Sequence, residues 1–375
     1  MLHTGRDPAL TVVEPRLRPI DVGFPTVFGR ELVQELPNFV HRPYIVVTMA
    51  DLWPGLEHHF DRHLAAVHEV SSIDVGALDE QIAALPEFAA VIGLGGGRAL
   101  DVAKFFAWRR GRPLFQVPTS MGTTAPFAHR AALRHEGLEV GLAWAVPEAV
   151  YVDFDVIASA PPELNRAGVG DVLCHHTAHV DWKLARDAGQ EDRRWPYDER
   201  LVVDALEQLA MVVGGLEEIH DVTDAGIRLL SSALRWGGAA FHDAGWNARH
   251  LDGVDHAFLY CLEHQTGRSF IHGQAVGLGT YLGAVLQDNQ PEVVLGWLHR
   301  AGVDIRPEAM GIDWEAAGTA MQRLAWYVRY ADQPYTIADA RPVTADIVDG
   351  IRDRITATFG AWPVEGPAAP RGGFD

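Results

Sequence analysis

Three side chains that can bind a divalent metal stand in distinctive local settings in this sequence. Asp171 ends the run Ala-Gly-Val-Gly-Asp, His256 follows an aspartate in Gly-Val-Asp-His, and His272 precedes a glycine in Ile-His-Gly. One carboxylate and two neutral imidazoles suit Zn²⁺ or Fe²⁺ and leave a coordination position open for a substrate. We therefore predict that Asp171, His256 and His272 bind one divalent metal and are catalytic.

A further histidine, His175, lies four residues after Asp171, so in a continuous helix the two side chains share a face. Two roles stay open for His175, a fourth metal ligand and a proton relay, and we count it among the candidate catalytic residues. Asp255 and Glu263 are candidates for orienting the ligating imidazoles, with an ordinary surface role as the alternative.

A turn of three glycines follows an apolar run and precedes a helical pattern. Without side chains, the backbone of such a turn can approach a pyrophosphate, and the helix N-terminus offers free N–H groups to the phosphates. The alternative is an ordinary tight turn, and the spacing matches neither the Rossmann fingerprint nor a P-loop. The candidate cofactor-binding residues of this region are Gly95, Gly96, Gly97, Asp101 and Lys104.

A second group of candidate cofactor-binding residues follows neighbouring strand-like runs. Thr119, Ser120 and Thr123 place hydroxyls where a ribose, a phosphate or the nicotinamide amide would lie, although helix capping and turn formation are the alternative for such a loop. Asp51 follows the run that ends at Thr48. A carboxylate there would hold a ribose hydroxyl and favour NAD, while NAD and NADP both stay open.

Strand-like and helical patterns alternate in the first part of the chain and give way to long amphipathic segments after Pro161. This order predicts an α/β domain with an open parallel sheet over residues 1–160 and an all-α domain over residues 161–375. The predicted strands are 44–48, 89–94, 114–118 and 149–153, with helices at 78–85 and 99–110. The predicted helices of the second domain are 164–186, 199–219, 224–242, 254–265 and 272–287.

The composition excludes several classes of protein. A net charge of −19 over 375 residues argues against a nucleic-acid partner. Two cysteines do not make a disulfide framework, and no apolar run approaches the length that spans a membrane. The first residues also lack the pattern of a signal peptide. We expect a cytoplasmic protein with a small-molecule substrate and no membrane or nucleic-acid partner.

Five motifs occur in an order that resembles one superfamily. They are Gly-Gly-Gly-Arg-Ala-Leu-Asp-Val-Ala-Lys at 95–104, Val-Pro-Thr-Ser at 117–120, Ala-Gly-Val-Gly-Asp at 167–171, Asp-His at 255–256 and His-Gly at 272–273. The set resembles the iron-containing alcohol dehydrogenases, glycerol dehydrogenases, glycerol-1-phosphate dehydrogenases and dehydroquinate synthases. The glycerol-1-phosphate dehydrogenase branch is the most similar, over roughly residues 20–355.

The resemblance implies a dehydroquinate synthase-like fold, with an N-terminal dinucleotide-binding domain and a C-terminal helical domain. It implies a metal on Asp171, His256 and His272, and NAD or NADP on the glycine turn and the loop from Thr119 to Thr123. The implied activity is oxidation or reduction of a small polyol, a polyol phosphate or a related alcohol or carbonyl compound. Members of the superfamily are commonly homo-oligomers.

Three places depart from the glycerol-1-phosphate dehydrogenase branch and leave the substrate open. Thr123 and Thr124 stand where that branch has an Asn-Asp pair, and Tyr260 stands where it has a second histidine. His175 replaces a lysine and resembles the aspartate–histidine spacing of the iron-containing alcohol dehydrogenases.

Two alternatives to a dehydrogenase stay open. A sugar-phosphate cyclase similar to dehydroquinate synthase would use the same metal and NAD, but it would need basic residues for the substrate phosphate, and the site segments offer mainly Lys104 and Lys183. A non-catalytic homologue would explain the changed positions Thr124 and Tyr260, but it would have no need to keep three metal ligands.

Overall fold

The computed structural model describes residues 24–40, 42–60, 62–243 and 247–363, and every structural statement concerns these residues. The chain divides into two compact units. Unit 1 is Met1–Pro161 with Gly238–Gly245, and unit 2 is Pro162–Gly237 with Trp246–Asp375. The sequence predicted two contiguous domains, and the assignment of a segment beginning at Gly238 to unit 1 was not anticipated.

Unit 1 contains a parallel sheet of six strands and a separate antiparallel hairpin. The strands are β1 (Thr26–Gly29), β2 (Tyr44–Thr48), β3 (Leu64–Glu69), β4 (Ala90–Gly95), β5 (Leu114–Pro118), β6 (Ala131–His135), β7 (Leu138–Leu142) and β8 (Ala149–Asp153). The sheet order is β1-β8-β5-β4-β2-β3, and β6 pairs with β7. Strands β2, β4 and β8 are buried at every position, which is typical of parallel strands covered on both faces.

Helices cover both faces of this sheet. They are α1 (Leu32–Phe39), α2 (Trp53–Leu56), α3 (Val75–Ala84), α4 (Gly97–Arg110) and α5 (Phe154–Ser159). Alternate residues of β2 point to opposite faces, so Ile45 and Val47 join a core cluster with residues of α3 and α4, whereas Val46 joins a cluster with residues of α1. The order of strands and helices that the sequence predicted for this part is confirmed.

Helix α4 holds a buried ion pair against the interior of unit 1. Lys104 is fully buried, and its Nζ lies 2.6 Å from Oδ1 of Asp101 and donates a hydrogen bond to the carbonyl oxygen of Arg130 at 2.7 Å. Burial lowers the pKa of Lys104, and the attraction of Asp101 opposes that shift. The pair ties the first half of α4 to the start of the hairpin.

Unit 2 is helical in its described residues. Its helices are α6 (Pro162–Arg166), α7 (Gly168–Leu173), α8 (His175–Asp187), α9 (Glu199–Gly214), α10 (Leu216–His220), α11 (Asp224–Asp243), which continues into unit 1, α12 (Val254–Thr266), α13 (His272–Gln287), α14 (Pro291–Ala301), α15 (Trp314–Tyr330), α16 (Ile337–Ala340) and α17 (Ala345–Phe359). Among the described residues, no helix combines the length and the apolar character that crossing a membrane requires.

The helix predicted over 164–186 is divided in the structure into α6, α7 and α8. Asp171 lies in α7, whereas His175 is the first residue of α8, and Cys174 stands between the two helices. One uninterrupted helix over 164–186 is therefore not found, although Cys174 between α7 and α8 keeps helical dihedral angles (φ −56°, ψ −27°).

Glycines let α13 lie in backbone contact with both α7 and α12. A Cβ atom on Gly170 of α7 would lie 1.8 Å from the carbonyl oxygen of Gly273, and one on Gly279 of α13 would lie 2.4 Å from the carbonyl oxygen of Asp255. Both distances are far below van der Waals contact, so a side chain at either position would push the helices apart. These three helices carry Asp171, His256 and His272.

We expect Gly170→Ala to destabilise the protein by at least about 1–3 kcal/mol, the usual cost of overpacking a core. Gly296→Ala is the matched control, because Gly296 lies inside α14 and an added Cβ there meets nothing within 4 Å. Alanine is the better helix former, so the control should be neutral or slightly stabilised. Urea unfolding measures both variants, and equal stabilities would contradict the packing constraint.

Replacing Lys104 with methionine should cost about 3–5 kcal/mol, because it removes the ammonium group that contacts the buried carboxylate of Asp101. Adding Asp101→Asn should restore part of this loss, because the second change removes the buried negative charge that Lys104 contacted. Denaturant unfolding of the single and double variants tests the pair. A double variant as unstable as Lys104→Met would show that the ion pair is not the source of the effect.

Candidate metal and cofactor sites

The three predicted metal ligands come together in unit 2. The Oδ1 atom of Asp171 lies 3.2 Å from Nε2 of His272 and 3.4 Å from Nε2 of His256, and the two Nε2 atoms are 3.2 Å apart. Asp171 and His256 are buried, whereas about a third of the His272 side chain is exposed. One carboxylate oxygen and two ring nitrogens thus converge on a point that is open on the His272 side.

The spacing of these three atoms fits a common metal ion. With metal–ligand bonds of about 2.1 Å, donor atoms lie about 3.4 Å apart in a tetrahedral site and about 3.0 Å apart in an octahedral one. The three observed distances, 3.2, 3.2 and 3.4 Å, lie between these values. Donor type and donor spacing therefore both suit a divalent cation, and the spacing alone does not choose between zinc and iron.

The hydrogen bonds of His256 leave its Nε2 atom available as a donor to a metal. The Nδ1 atom of His256 lies 2.9 Å from Oδ1 of Asp255, and the same oxygen accepts from the backbone N–H of His256 at 2.8 Å. An ionised carboxylate only accepts hydrogen bonds, so Nδ1 carries the ring proton and Nε2 presents its lone pair. Asp255, a candidate orienting residue in the sequence, is fully buried beside His256; Glu263 is not among the hydrogen-bond partners of His256 or His272.

The electrostatics of the cluster favour a positive charge. Burial alone would raise the pKa of Asp171, but His272 and His256 outweigh it and hold the pKa of this carboxyl far below its usual range. Burial alone would lower the pKa of His256, but Asp252, Asp171 and Asp255 outweigh it and the pKa lies well above its usual value. A proton or a metal cation satisfies this acidic environment.

His175 is not part of this cluster. Its Nδ1 atom lies 2.8 Å from the carbonyl oxygen of His250, and its ring packs edge-on against Trp236, with centroids 5.6 Å apart. Burial lowers the pKa of His175. Burial also lowers the pKa of His250, to about 3, and the neighbouring His175 adds to that shift. The geometry therefore gives no support to His175 as a fourth ligand.

The structure contains a second group of potential donor atoms, formed by Cys174, Asp255 and His256. The thiol of Cys174 donates to the carbonyl oxygen of Asp171 at 2.8 Å, and burial together with Asp255 raises the pKa of that thiol well above its usual value. A protonated thiol beside a carboxylate that already accepts hydrogen bonds is a poor metal site.

Sequence reasoning missed the polar partners of two buried carboxylates, Asp255 and Asp181. Thr177 donates from Oγ1 to Oδ2 of Asp255 at 2.7 Å, and Gln287 donates from Nε2 to Oδ1 of Asp181 at 2.9 Å. Burial raises the pKa of Asp181 to about 7, although the backbone N–H of Val254 and the charge of Arg249 counteract it. No spacing in the sequence indicates these contacts, because the partners lie on different helices.

The predicted cofactor-binding residues of unit 1 meet at the carboxyl ends of three neighbouring strands. The glycine turn joins β4 to α4, and the backbone N–H of Thr119 after β5 donates to the carbonyl oxygen of Gly95 at 3.1 Å. Ser120 and Thr123 lie close to the turn, since a Cβ on Gly96 would be 3.8 Å from Oγ of Ser120 and one on Gly97 would be 2.9 Å from Cγ2 of Thr123.

Asp51 follows β2, which pairs with β4 on the side away from β5. The segment that holds Asp51 lies beside the glycine turn: a Cβ atom on Gly95 would be 3.8 Å from the side chain of Met49 and 3.9 Å from that of Leu52. Asp51 itself is exposed. An exposed carboxylate at this edge of the sheet suits a ribose hydroxyl.

The glycine turn fits a dinucleotide phosphate. Helix α4 has neither a side-chain cap on its first N–H groups nor an acidic residue in its first turn, so its positive N-terminus is uncompensated. Gly95 has a φ of +156° and a Cβ there would lie 2.8 Å from Cβ of Ala99, so the turn cannot carry a side chain at that position. Free N–H groups beside a bare backbone form a site for an anion.

Lys104 and Asp101 need a correction. Both were predicted to bind the cofactor, but Lys104 is fully buried and its ammonium is bonded to Asp101 and to the Arg130 carbonyl. The prediction that a helix holding both residues follows the turn is confirmed, but their side chains are buried in the core. Their role in the structure is to anchor α4.

Comparison with known proteins connects this geometry to a family. The model of the iron-containing alcohol dehydrogenase family matches residues 55–161. A glycerol-1-phosphate dehydrogenase [NAD(P)+] of Aeropyrum pernix is 31% identical over 264 residues, which cover 70% of this chain and 72% of that protein.

Solved structures share the fold. A probable glycerol dehydrogenase from Sinorhizobium meliloti has a TM-score of 0.66 at 20% identity and covers 89% of this chain and 95% of its own. Sulfoacetaldehyde reductase from Bifidobacterium kashiwanohense, solved in complex with NAD+, has a TM-score of 0.61 at 18% identity. The match covers 89% of this chain and 97% of the reductase chain. From the sequence identity, the shared fold and the order of its motifs, the chain belongs to the superfamily of iron-containing alcohol dehydrogenases and glycerol-1-phosphate dehydrogenases, and it is a dehydrogenase.

Proposed function

We propose that the protein is a metal-dependent, NAD(P)-linked dehydrogenase of a small polyol, a polyol phosphate or a related alcohol or carbonyl compound. The observation that carries the proposal is the convergence of Asp171, His256 and His272 on one partly open point, with donor spacing that suits Zn²⁺ or Fe²⁺. Relatives that match over most of the chain include glycerol-1-phosphate dehydrogenases, which supports this substrate class.

The residues of the metal cluster would have distinct tasks. When bound, the cation supplies a Lewis acid that lowers the pKa of a substrate hydroxyl, and NAD(P) supplies the hydride acceptor. Asp171 contributes the negative charge that holds the cation. His256 keeps its proton on Nδ1 and directs Nε2 at the cluster, while the exposed edge of His272 leaves room for the substrate.

The turn of unit 1 would hold the cofactor through its backbone. The N–H groups at the start of α4 would bind the pyrophosphate, and the hydroxyls of Ser120 and Thr123 lie beside the turn, where they can contact phosphate or ribose. Exposed Asp51 would hold a ribose hydroxyl, which favours NAD over NADP because a 2′-phosphate would meet a negative charge.

The buried state of Lys104 also speaks against the cyclase alternative, since it removes one of the two lysines considered for a substrate phosphate. We further propose a cytoplasmic homo-oligomer with a domain boundary near Pro161. Two free, buried cysteines, Cys174 and Cys261, are consistent with a reducing compartment.

Asp171→Asn and His272→Ala should each reduce metal content and turnover by at least about tenfold, because the first removes the negative charge of the donor oxygen and the second removes a donor atom. His220→Ala is the control, since His220 is a half-exposed histidine on α10 that is not one of the three converging donors. Elemental analysis after dialysis gives the metal content, and NADH absorbance with a panel of polyols and polyol phosphates gives the turnover. Undiminished metal in both site variants would refute the ligand assignment, and absence of net NADH formation with every substrate would refute the dehydrogenase.

Gly96→Ala should weaken NADH binding by about tenfold or more without destabilising the fold. The added methyl group meets only Oγ of Ser120, at 3.8 Å, so the protein tolerates it, but it occupies space that the phosphate needs. Gly55→Ala in α2 adds the same methyl group where nothing lies within 4 Å. Fluorescence titration with NADH compares the two variants, and equal affinities would place the cofactor phosphate elsewhere.

A further inference from the structure

A series of buried hydrogen bonds leads from His256 into the interior of unit 2. Asp255 stands at its start, and its Oδ1 atom accepts from three groups: Nδ1 of His256 at 2.9 Å, the backbone N–H of His256 at 2.8 Å and the backbone N–H of Gly253 at 3.2 Å. Because all three converge on one oxygen, the position of this carboxylate defines both the ring tautomer and the ring orientation of His256.

Asp255 is itself held from a different helix. The hydroxyl of Thr177 on α8 donates to Oδ2 of Asp255 at 2.7 Å, and Thr177 and Asp255 are both fully buried. The carbonyl oxygen of Thr177 accepts from Nε2 of Gln287 on α13 at 3.0 Å. The carboxylate that directs His256 is therefore fixed by contacts that reach both α8 and α13.

The series ends at a second buried carboxylate. Asp181 accepts from Gln287 and from the backbone N–H of Ile337, both at 2.9 Å, and from the backbone N–H of Val254 at 2.7 Å. The Val254 contact places Asp181 at the N-terminus of α12, the helix that carries His256, where a negative charge is favourable. Arg249, also buried, donates to the carbonyl oxygens of Asp252 and Tyr335 and adds positive charge nearby.

We propose that Asp255 is a positioning residue that sets the metal affinity of the site by holding His256 in its ligating tautomer, with Thr177 as its support. The inference rests on the proposed function in one respect, namely that His256 is a metal ligand. Asp255 is not one of the three converging donors, because it contacts the Nδ1 atom of His256, whereas the Nε2 atom of the same ring faces Asp171 and His272.

A neighbouring carboxylate supplies a matched control. Asp252 also lies near Nδ1 of His256, but its Oδ1 atom is 3.6 Å away, beyond hydrogen-bonding distance, and its side chain is about a quarter exposed. Asp252→Ala removes the same charge from the same neighbourhood and leaves the Asp255 hydrogen bonds in place. A difference between the two alanine variants therefore reports the hydrogen bond rather than the general negative field.

The first experiment measures Zn²⁺ affinity by competition with a chromophoric chelator. We expect Asp255→Ala to weaken binding by about 10- to 100-fold and Asp255→Asn, which keeps an acceptor oxygen, to lose less. Asp252→Ala should lose at most about fivefold, as for a partly exposed charge. Nitrogen-15 NMR of the Zn²⁺-loaded protein should show His256 protonated on Nδ1 and bound through Nε2 in the wild type, and a mixture of Nδ1 and Nε2 tautomers in Asp255→Ala.

A second pair of variants tests the support of Asp255 if Asp255→Ala fails to fold. Thr177→Val removes the hydroxyl with little change of shape and should weaken Zn²⁺ binding about three- to tenfold. Thr177→Ser keeps the donor and should stay near the wild type.

The outcomes separate the two proposals. A wild-type protein that binds no Zn²⁺ would refute the proposed metal site. A wild type that binds Zn²⁺, together with Asp255→Ala of equal affinity and unchanged tautomer, would overturn the positioning role alone. Equal affinities of Thr177→Val and Thr177→Ser would overturn the support by Thr177.

Discussion

Helix α13 can bring His272 to Asp171 and His256 only because it lies in backbone contact with both α7 and α12. Gly170 faces the carbonyl oxygen of Gly273, and Gly279 faces the carbonyl oxygen of Asp255. The donor atoms lie 3.2 to 3.4 Å apart, and metal bonds tolerate deviations of only about 0.2 Å. The distances between the three donor atoms therefore depend directly on the close packing of α7, α12 and α13.

The same contacts connect the cluster to the polar interior. Gly279 rests on the backbone of Asp255, and the side chain of Asp255 accepts the ring proton of His256. Thr177 and Gln287 then join α8 and α13 to that carboxylate. A buried carboxylate costs stability unless it is fully hydrogen-bonded, and here the donors that compensate it also orient a ligand.

The grouping of Asp171, His256 and His272 could be predicted from the sequence because all three are recognisable by residue type within short motifs. Sequence reasoning added His175 to the candidate ligands because a spacing of four residues on a helix implies a shared face. A shared face does not bring two side chains to one point, and His175 instead contacts the carbonyl oxygen of His250. Sequence reasoning also assigned Lys104 to the cofactor, because a residue's place in the helix after the glycine turn does not reveal whether its side chain is buried.

Long-range contacts set the limit of what could be read from the sequence. Thr177 and Asp255 are 78 residues apart, and Gln287 and Asp181 are 106 residues apart, so no local pattern indicates either pair. In the sheet, the fully buried strands β2, β4 and β8 were predicted from their apolar runs. Strands β1 and β3 were not, because these sheet-edge strands are only half-buried and lack a clear pattern.

The origin of the ligands on three separate helices has a thermodynamic consequence. Asp171 and His272 are 101 residues apart, so a cation held by both would act as a reversible cross-link that closes a long loop of unit 2. Because the unfolded chain offers no such preformed set of donors, the free energy of metal binding adds to the free energy of folding. The stability of unit 2 then depends on the free metal concentration, and scarcity of metal would lower the amount of folded enzyme as well as its activity.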